Sequence, residues 1–222
     1  MNSIDFLMWV KGPAFDIALF IFVLGVLIRI LEILILGRKH DLAIARSFSS
    51  QHGLETVISR TLPEKGVFKR SPLIILLGYV WHIGWFVVLV MFIPHIELFK
   101  DLTGISWAGL PTPIIDVLAV MTIIALIAVL IVRMTHPVMS FLSTKHDYFV
   151  WLVTFLPVLT GFMAYHHMIE PYELALGLHI LSAEILLIVF PFSKLMHAFT
   201  VFMARWYNGA INGRRLAMGG ED

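Results

Sequence analysis

The 222-residue sequence contains no cysteine. That absence excludes disulfides, thiolate-held iron–sulfur clusters and the C-x-x-C-H attachment of c-type haem, so any redox centre must be held by other side chains. Charge is also scarce. Charged residues make up 14% of the chain and hydrophobic ones 59%, whereas in soluble proteins about a quarter of residues are charged. This balance excludes an ordinary water-soluble domain. The sequence shows no flavin motif, nucleotide-binding loop, internal repeat or low-complexity tract, and no nucleic-acid partner is expected. What it has in quantity is long apolar runs.

Five of those runs are long enough to carry a helix across a hydrocarbon core of about 30 Å: about 14–36, 72–94, 111–133, 148–165 and 172–193. The sequence therefore predicts an all-α protein, an integral membrane bundle of five transmembrane helices in a lipid bilayer, as a single domain over 1–222. No small-residue cleavage site follows the first run, so no cleavable signal peptide is expected. Lys and Arg set the orientation. Arg38, Lys39, Arg46, Arg60, Lys65, Lys69 and Arg70 fall in segment 37–71, between the first two spans. Arg133, Lys145, Lys194, Arg205, Arg214 and Arg215 fall on the same side, and only Lys11 and Lys100 fall on the other. The N-terminus is thus expected outside and the C-terminus cytoplasmic, in the cytoplasmic (inner) membrane. Within the basic segment, "DLAIARSFSSQHGLETVISRTL" has the apolar spacing of a surface helix that lies on the membrane or meets a partner, and "LPEKG" reads as a turn. The tail, 198–222, is expected to stay helical to about Tyr207 and to loosen at Asn208-Gly209 and Asn212-Gly213, with Arg205-Trp206-Tyr207 at the lipid–water interface.

Ten histidines stand out in so apolar a chain, because ionisable groups inside a bilayer are costly and need a partner or a task. His40, His52, His136 and His146 sit in or beside cytoplasmic loops, and His166 and His167 fall in the outer connection between the fourth and fifth spans. His82 and His179 lie within spans, while His95 and His197 lie at or just beyond span ends. His179 and His197 are eighteen positions apart. On an ideal helix that is five turns, which puts them on one face with about 27 Å of rise between them. The distance is too long for a shared ion, but it sets one imidazole near each leaflet, as two stacked haems on one helix would need. The second span, "GYVWHIGWFVVLVMFIPH", runs antiparallel to the fifth. Depth then pairs His82 with His197 towards the cytoplasm and His95 with His179 towards the exterior, giving two bis-histidine haem sites. Gly78, Gly84 and Gly177 would let a flat macrocycle approach the backbone or would serve helix packing. On an ideal helix His82 and His95 are about 140° apart. His95 therefore reaches its partner only if Pro94 kinks or ends the helix; otherwise His166 or His167 becomes the substitute ligand.

At these residues the sequence resembles the gamma subunit of respiratory nitrate reductase, a five-helix dihaem cytochrome b, and related membrane cytochromes of sulfite-reductase-associated and heterodisulfide-reductase-type complexes. The resemblance covers about residues 14–200 and is carried by "FPFSKLMH" closing the fifth helix, His179 upstream of it, "HIG" in the second helix, Arg29 in the first, and "STKHD" before the fourth. It implies His82 and His197 as ligands of the haem nearer the cytoplasmic partner and His179 as a ligand of the outer haem. The chain departs from the family at Phe92, where the second histidine of that helix would stand, and at "GLPTPIIDVLAV", which lacks the family's quinol-site lysine.

The resemblance implies an electron-transfer subunit of a respiratory-chain oxidoreductase. It would exchange electrons through two b haems between the membrane quinol/quinone pool and an iron–sulfur or other redox subunit on the cytoplasmic side, and would complete no net reaction alone. Asp116, a turn or so inside a span, and Lys100 are candidates for the quinol site, beside Tyr165, His166, His167, Glu170 and Glu173. Arg29, with Arg70, Arg133 or Lys194, is a candidate for the inner haem propionates; its alternative is an i,i+3 pair with Glu32. Glu184, mid-helix between the ligand histidines, has no assigned role. Two other readings stand beside this one: a haem-free proton or metal transporter or channel using His82, His179, Asp116 and Glu184, and a haem-free membrane anchor.

Overall fold

The computed structural model describes residues 2–36, 50–63 and 65–216, with side chains as far as 211. Residues 37–49, which include Arg38, Lys39, His40 and Arg46 of the basic segment, lie outside the described residues, as do the side chains of Arg214 and Arg215. Among the described residues the regular structure is entirely helical: α1 (Ser3–Trp9), α2 (Phe15–Ile35), α3 (Ser50–Ser59), α4 (Lys65–Arg70), α5 (Pro72–Met91), α6 (Ile93–Thr103), α7 (Thr112–Thr135), α8 (Pro137–Leu142), α9 (Lys145–Tyr165), α10 (Tyr172–Val189) and α11 (His197–Leu216). Five helices are long and apolar enough to cross a membrane: Ser3–Ile35, Pro72–Met91, Thr112–Thr135, Lys145–Tyr165 and Tyr172–Phe192. The chain is an all-α, multi-pass membrane protein. By its contacts the chain groups into two compact units, Met1–Leu19 with Ser71–Ile188 and Phe20–Arg70 with Val189–Asp222.

In the first unit, α1 opens with a reciprocal cap. The Asp5 amide donates to Asn2 Oδ1 at 2.7 Å and the Asn2 amide to Asp5 Oδ2 at 3.3 Å, satisfying amides that a helix start leaves without partners. A π turn, Val10–Ala14, then carries Pro13. The wider turn absorbs a residue whose missing amide hydrogen breaks the α-helical ladder. The first span therefore begins at Ser3, well before the predicted start at 14. Helices α5 and α7 meet at Gly84, where a Cβ would collide with Thr122 Oγ1; that hydroxyl is itself tied to the Leu118 carbonyl at 2.7 Å. The Trp151 indole in α9 donates to the Leu126 carbonyl of α7 at 2.9 Å, and Trp85 in α5 donates to the Thr154 carbonyl of α9 at 3.3 Å. Indole N–H groups in an apolar interior thus find acceptors on neighbouring backbones.

In the second unit, α3 packs on α11. A Cβ at Gly53 would stand 2.6 Å from the Trp206 ring, and one at Gly209 would stand 2.5 Å from Thr56 Cβ. The surface helix packs on the tail helix. One expectation is corrected: α11 does not loosen after Tyr207 but runs on to Leu216. Gly209 is buried beneath Thr56, so in this helix it serves close packing and not a turn.

The second span is shorter than expected, and the fifth loses its α-helical form near its end. Helix α5 ends at Met91 because Phe92 is extended (φ −79°, ψ 127°), and α6 restarts with Pro94 in its first turn, where a missing amide hydrogen is tolerated. Helix α10 gives way after Val189 to two 3-10 turns, Phe190–Phe192 and Lys194–Met196, separated by extended Ser193. His179 and His197 therefore do not share one continuous helix, and the five-turn register between them does not apply. The physical cause is Pro191, which cannot donate to the preceding turn. Its carbonyl instead accepts from Arg29 Nε at 3.2 Å, and its ring fills the space left by Gly25.

Candidate functional site

The break before Pro94 shapes the site in the first unit. In an unbroken helix the amide of residue 94 would donate to the Val90 carbonyl, and proline cannot. That carbonyl instead accepts from the Trp107 indole at 2.8 Å, and the Met91 carbonyl accepts from the Leu110 amide at 2.9 Å. The Val88 carbonyl takes a ring nitrogen, His95 Nδ1, at 3.1 Å. A carbonyl only accepts, so the His95 proton is on Nδ1 and the lone pair on Nε2. The Phe92 and His95 rings stand edge-to-face at 5.3 Å, and the Tyr165 and Phe92 rings do so at 5.1 Å.

His179, in α10, faces His95 with ring centroids 6.1 Å apart and planes at 26°. Its seat is Gly161, where a Cβ would stand 2.9 Å from the ring. His179 Nδ1 lies 3.4 Å from Thr160 Oγ1. The Thr160 hydroxyl donates to the Leu156 carbonyl at 2.7 Å, and the Ser182 hydroxyl donates to the His179 carbonyl at 2.7 Å. The Thr160 oxygen is then the acceptor towards the ring, which again puts the lone pair on Nε2. Imidazoles that bind metals are held in this way, with the second nitrogen bonded to the protein. His95 lies beyond the end of its span; removal from water pushes its imidazole below the ordinary 6.5, against the opposing pull of the Val88 carbonyl. The ring is therefore neutral near pH 7, the form that ligates metals.

These dimensions allow a test of fit. With a metal–imidazole bond of about 2.0 Å and a ring centre about 1.1 Å beyond the nitrogen, two imidazoles on opposite sides of one metal have centroids about 6.2 Å apart. The observed 6.1 Å agrees. Both rings line a cavity of about 510 Å³ to which all five spans contribute, within the range of cofactor sites. Among the described residues, no three His, Asp or Glu side chains converge as ligands for a bare ion. Two imidazoles at this separation, beside a large, mainly apolar cavity, are residues that could hold an iron porphyrin.

The other sequence-predicted residues fall as follows. Asp116 lines the cavity, half-buried, with its Oδ1 3.2 Å from His166 Nε2. His166 also packs on Phe162 at 4.4 Å, and His167 packs on Tyr172 at 4.8 Å, so both substitute ligands turn to other partners. Lys100 is exposed at the end of α6, where its carbonyl accepts from Gly104 at 2.8 Å, and it does not line the cavity. Gly84 and Gly177 are corrections: their open faces are filled by Thr122 and Phe6, leaving no approach for a macrocycle. Gly78 has open space where its Cβ would be, and its carbonyl is 2.7 Å from His82 Nδ1. His82 stacks on Trp81 at 3.6 Å. His197, in the second unit, has Nδ1 2.8 Å from the Lys194 carbonyl. Arg29 is engaged with Glu32 at 2.8 Å as well as with Pro191, a tie within the second unit that includes the i,i+3 pair expected as its alternative. Glu184 is 3% exposed, and among the described residues its Oε1 has no hydrogen-bond partner.

Sequence reasoning missed Thr160, Gly161, Ser182 and Trp107. The signal available was small and hydroxylated residues within a span, which mark close approach between helices.

No family model matches the chain and no solved structure matches it. A curated protein of Nitratidesulfovibrio vulgaris (strain Hildenborough), described as "Protein", is 29% identical over 205 residues, covering 89% of this chain and 89% of that one.

Proposed function

We propose that the protein is the membrane cytochrome b subunit of a respiratory oxidoreductase complex, carrying electrons through two b haems between a membrane quinol/quinone pool and a redox subunit on the cytoplasmic side. The observation that carries this reading is the His95–His179 pair, at 6.1 Å and 26°. Its two Nε2 lone pairs are left for iron because both Nδ1 atoms face protein acceptors. Bound there, the haem supplies reversible one-electron transfer. The protein's part is to hold the two rings in one tautomer and one orientation, and to wall them with Phe92 and Tyr165. The second haem is assigned on the sequence alone, to His82 and His197.

The Lys and Arg distribution supports an external N-terminus in the cytoplasmic membrane, which sets the His95–His179 site towards the exterior. Asp116, on the cavity wall, would accept the hydroxyl proton of a quinol there and pass it outwards through His166. The electron partner, an iron–sulfur or other redox subunit, would dock on the basic cytoplasmic face.

The test is a visible spectrum of the purified protein. The expected result is a b-type spectrum with about two haems per chain, and loss of the same single haem in His95→Ala and His179→Ala. Absence of a Soret band would overturn the reading in favour of a haem-free transporter or anchor.

A further inference from the structure

We propose that Lys11 pairs with the carboxylate arms of the porphyrin held by His95 and His179, an inference that rests on the haem reading above. Lys11 sits in the π turn Val10–Ala14. A π turn carries an extra residue, so it rotates the following side chains away from the face a regular helix would give them, and such turns recur at functional sites. This one leaves Lys11 on the wall of the cavity that also holds the two imidazoles.

The charge inventory of that wall points the same way. The other charged groups on it are acids, Glu97 and Asp101 from α6 and Asp116 from α7. Among the described residues Lys11 forms no ion pair, whereas Asp116 is held by His166. A porphyrin with two anionic arms would be repelled wherever those arms met the acids. The arms therefore turn towards the first span, where an ammonium with three donors and no competing partner can form charge-assisted hydrogen bonds. Lys11 is also exposed, so the arms reach solvent without crossing apolar wall.

The experiment uses the full chain carrying His82→Ala, so that only the His95–His179 site is titrated, purified without haem and reconstituted with protohaem or with its dimethyl ester. Lys11→Gln should weaken protohaem binding roughly tenfold, the scale of one charge-assisted hydrogen bond. Its binding of the uncharged ester should stay unchanged, and Lys11→Arg should keep protohaem affinity. With protohaem bound, Lys11→Gln should also lower the midpoint potential, because a cation near the iron favours the reduced state. Equal weakening of both porphyrins, or no weakening of either, would overturn the pairing. Failure of the Lys11-containing protein to take up either porphyrin would instead sink the haem reading on which it depends.

Discussion

His95 Nδ1 donates back to the carbonyl of Val88, seven residues earlier in the chain, at 3.1 Å. A side chain thus caps the end of α5, and in doing so it is aimed at His179. Pro94 is the cause, since it removes the amide that would have continued the helix. Pro94→Ala restores that donor and favours a continuous α5, on which residue 95 rotates away from α10. Haem assay of the variant should find one haem fewer than in the parent protein; a full complement with His95 still ligated would show that Pro94 does not aim the ring.

Gly161 is the floor under His179. In Gly161→Ala the new methyl would meet the ring at 2.9 Å from Cε1 and 3.1 Å from Nδ1, so the imidazole must shift. Overpacking of this kind costs about 1–3 kcal/mol, which thermal unfolding in detergent should register. The low-spin ferric resonance of that one haem should move while the other stays put; if neither moves, His179 is not a ligand at this position.

Gly84 and Thr122 mark a close approach between α5 and α7. Gly84→Ala should destabilise the protein by about 1–3 kcal/mol, and adding Thr122→Ala, which removes the colliding hydroxyl, should recover much of the loss. A denaturation midpoint for each corner of this double-mutant cycle measures the coupling. Strictly additive effects would mean that the two residues do not meet.

Depth pairing makes a separate claim. His197→Ala should remove one haem and His179→Ala the other, distinguishable by their reduced spectra. Loss of the same haem in both variants would refute the pairing.

Asp116→Asn keeps the size and the contact to His166 but removes the carboxylate. Haem content should be unchanged while reduction by a quinol analogue slows. An unaltered rate in stopped-flow measurements would exclude Asp116 from the quinol site.

The extent of the fold was legible in the chain for a local reason. Apolar length is a property of consecutive residues, and the bilayer thickness converts it directly into spans; all five spans are present, with altered ends. The ends moved where a proline or glycine met tertiary context. Pro13 is accommodated by a π turn, Pro191 is held by Arg29, and Gly209 is buried by Thr56. Each of those outcomes depends on a neighbouring backbone that a linear reading does not contain.

By itself, then, the sequence determined an all-α, five-span chain without thiols, and it determined that His82 and His179 fall within spans, because composition and run length act locally. Only the tertiary structure decided that His95 faces His179, that Gly161 seats the ring, that Gly84 serves packing and that Arg29 serves Pro191. Those relationships depend on the rotation of each helix about its axis and on which faces abut, and they are settled by contacts between residues far apart in the chain.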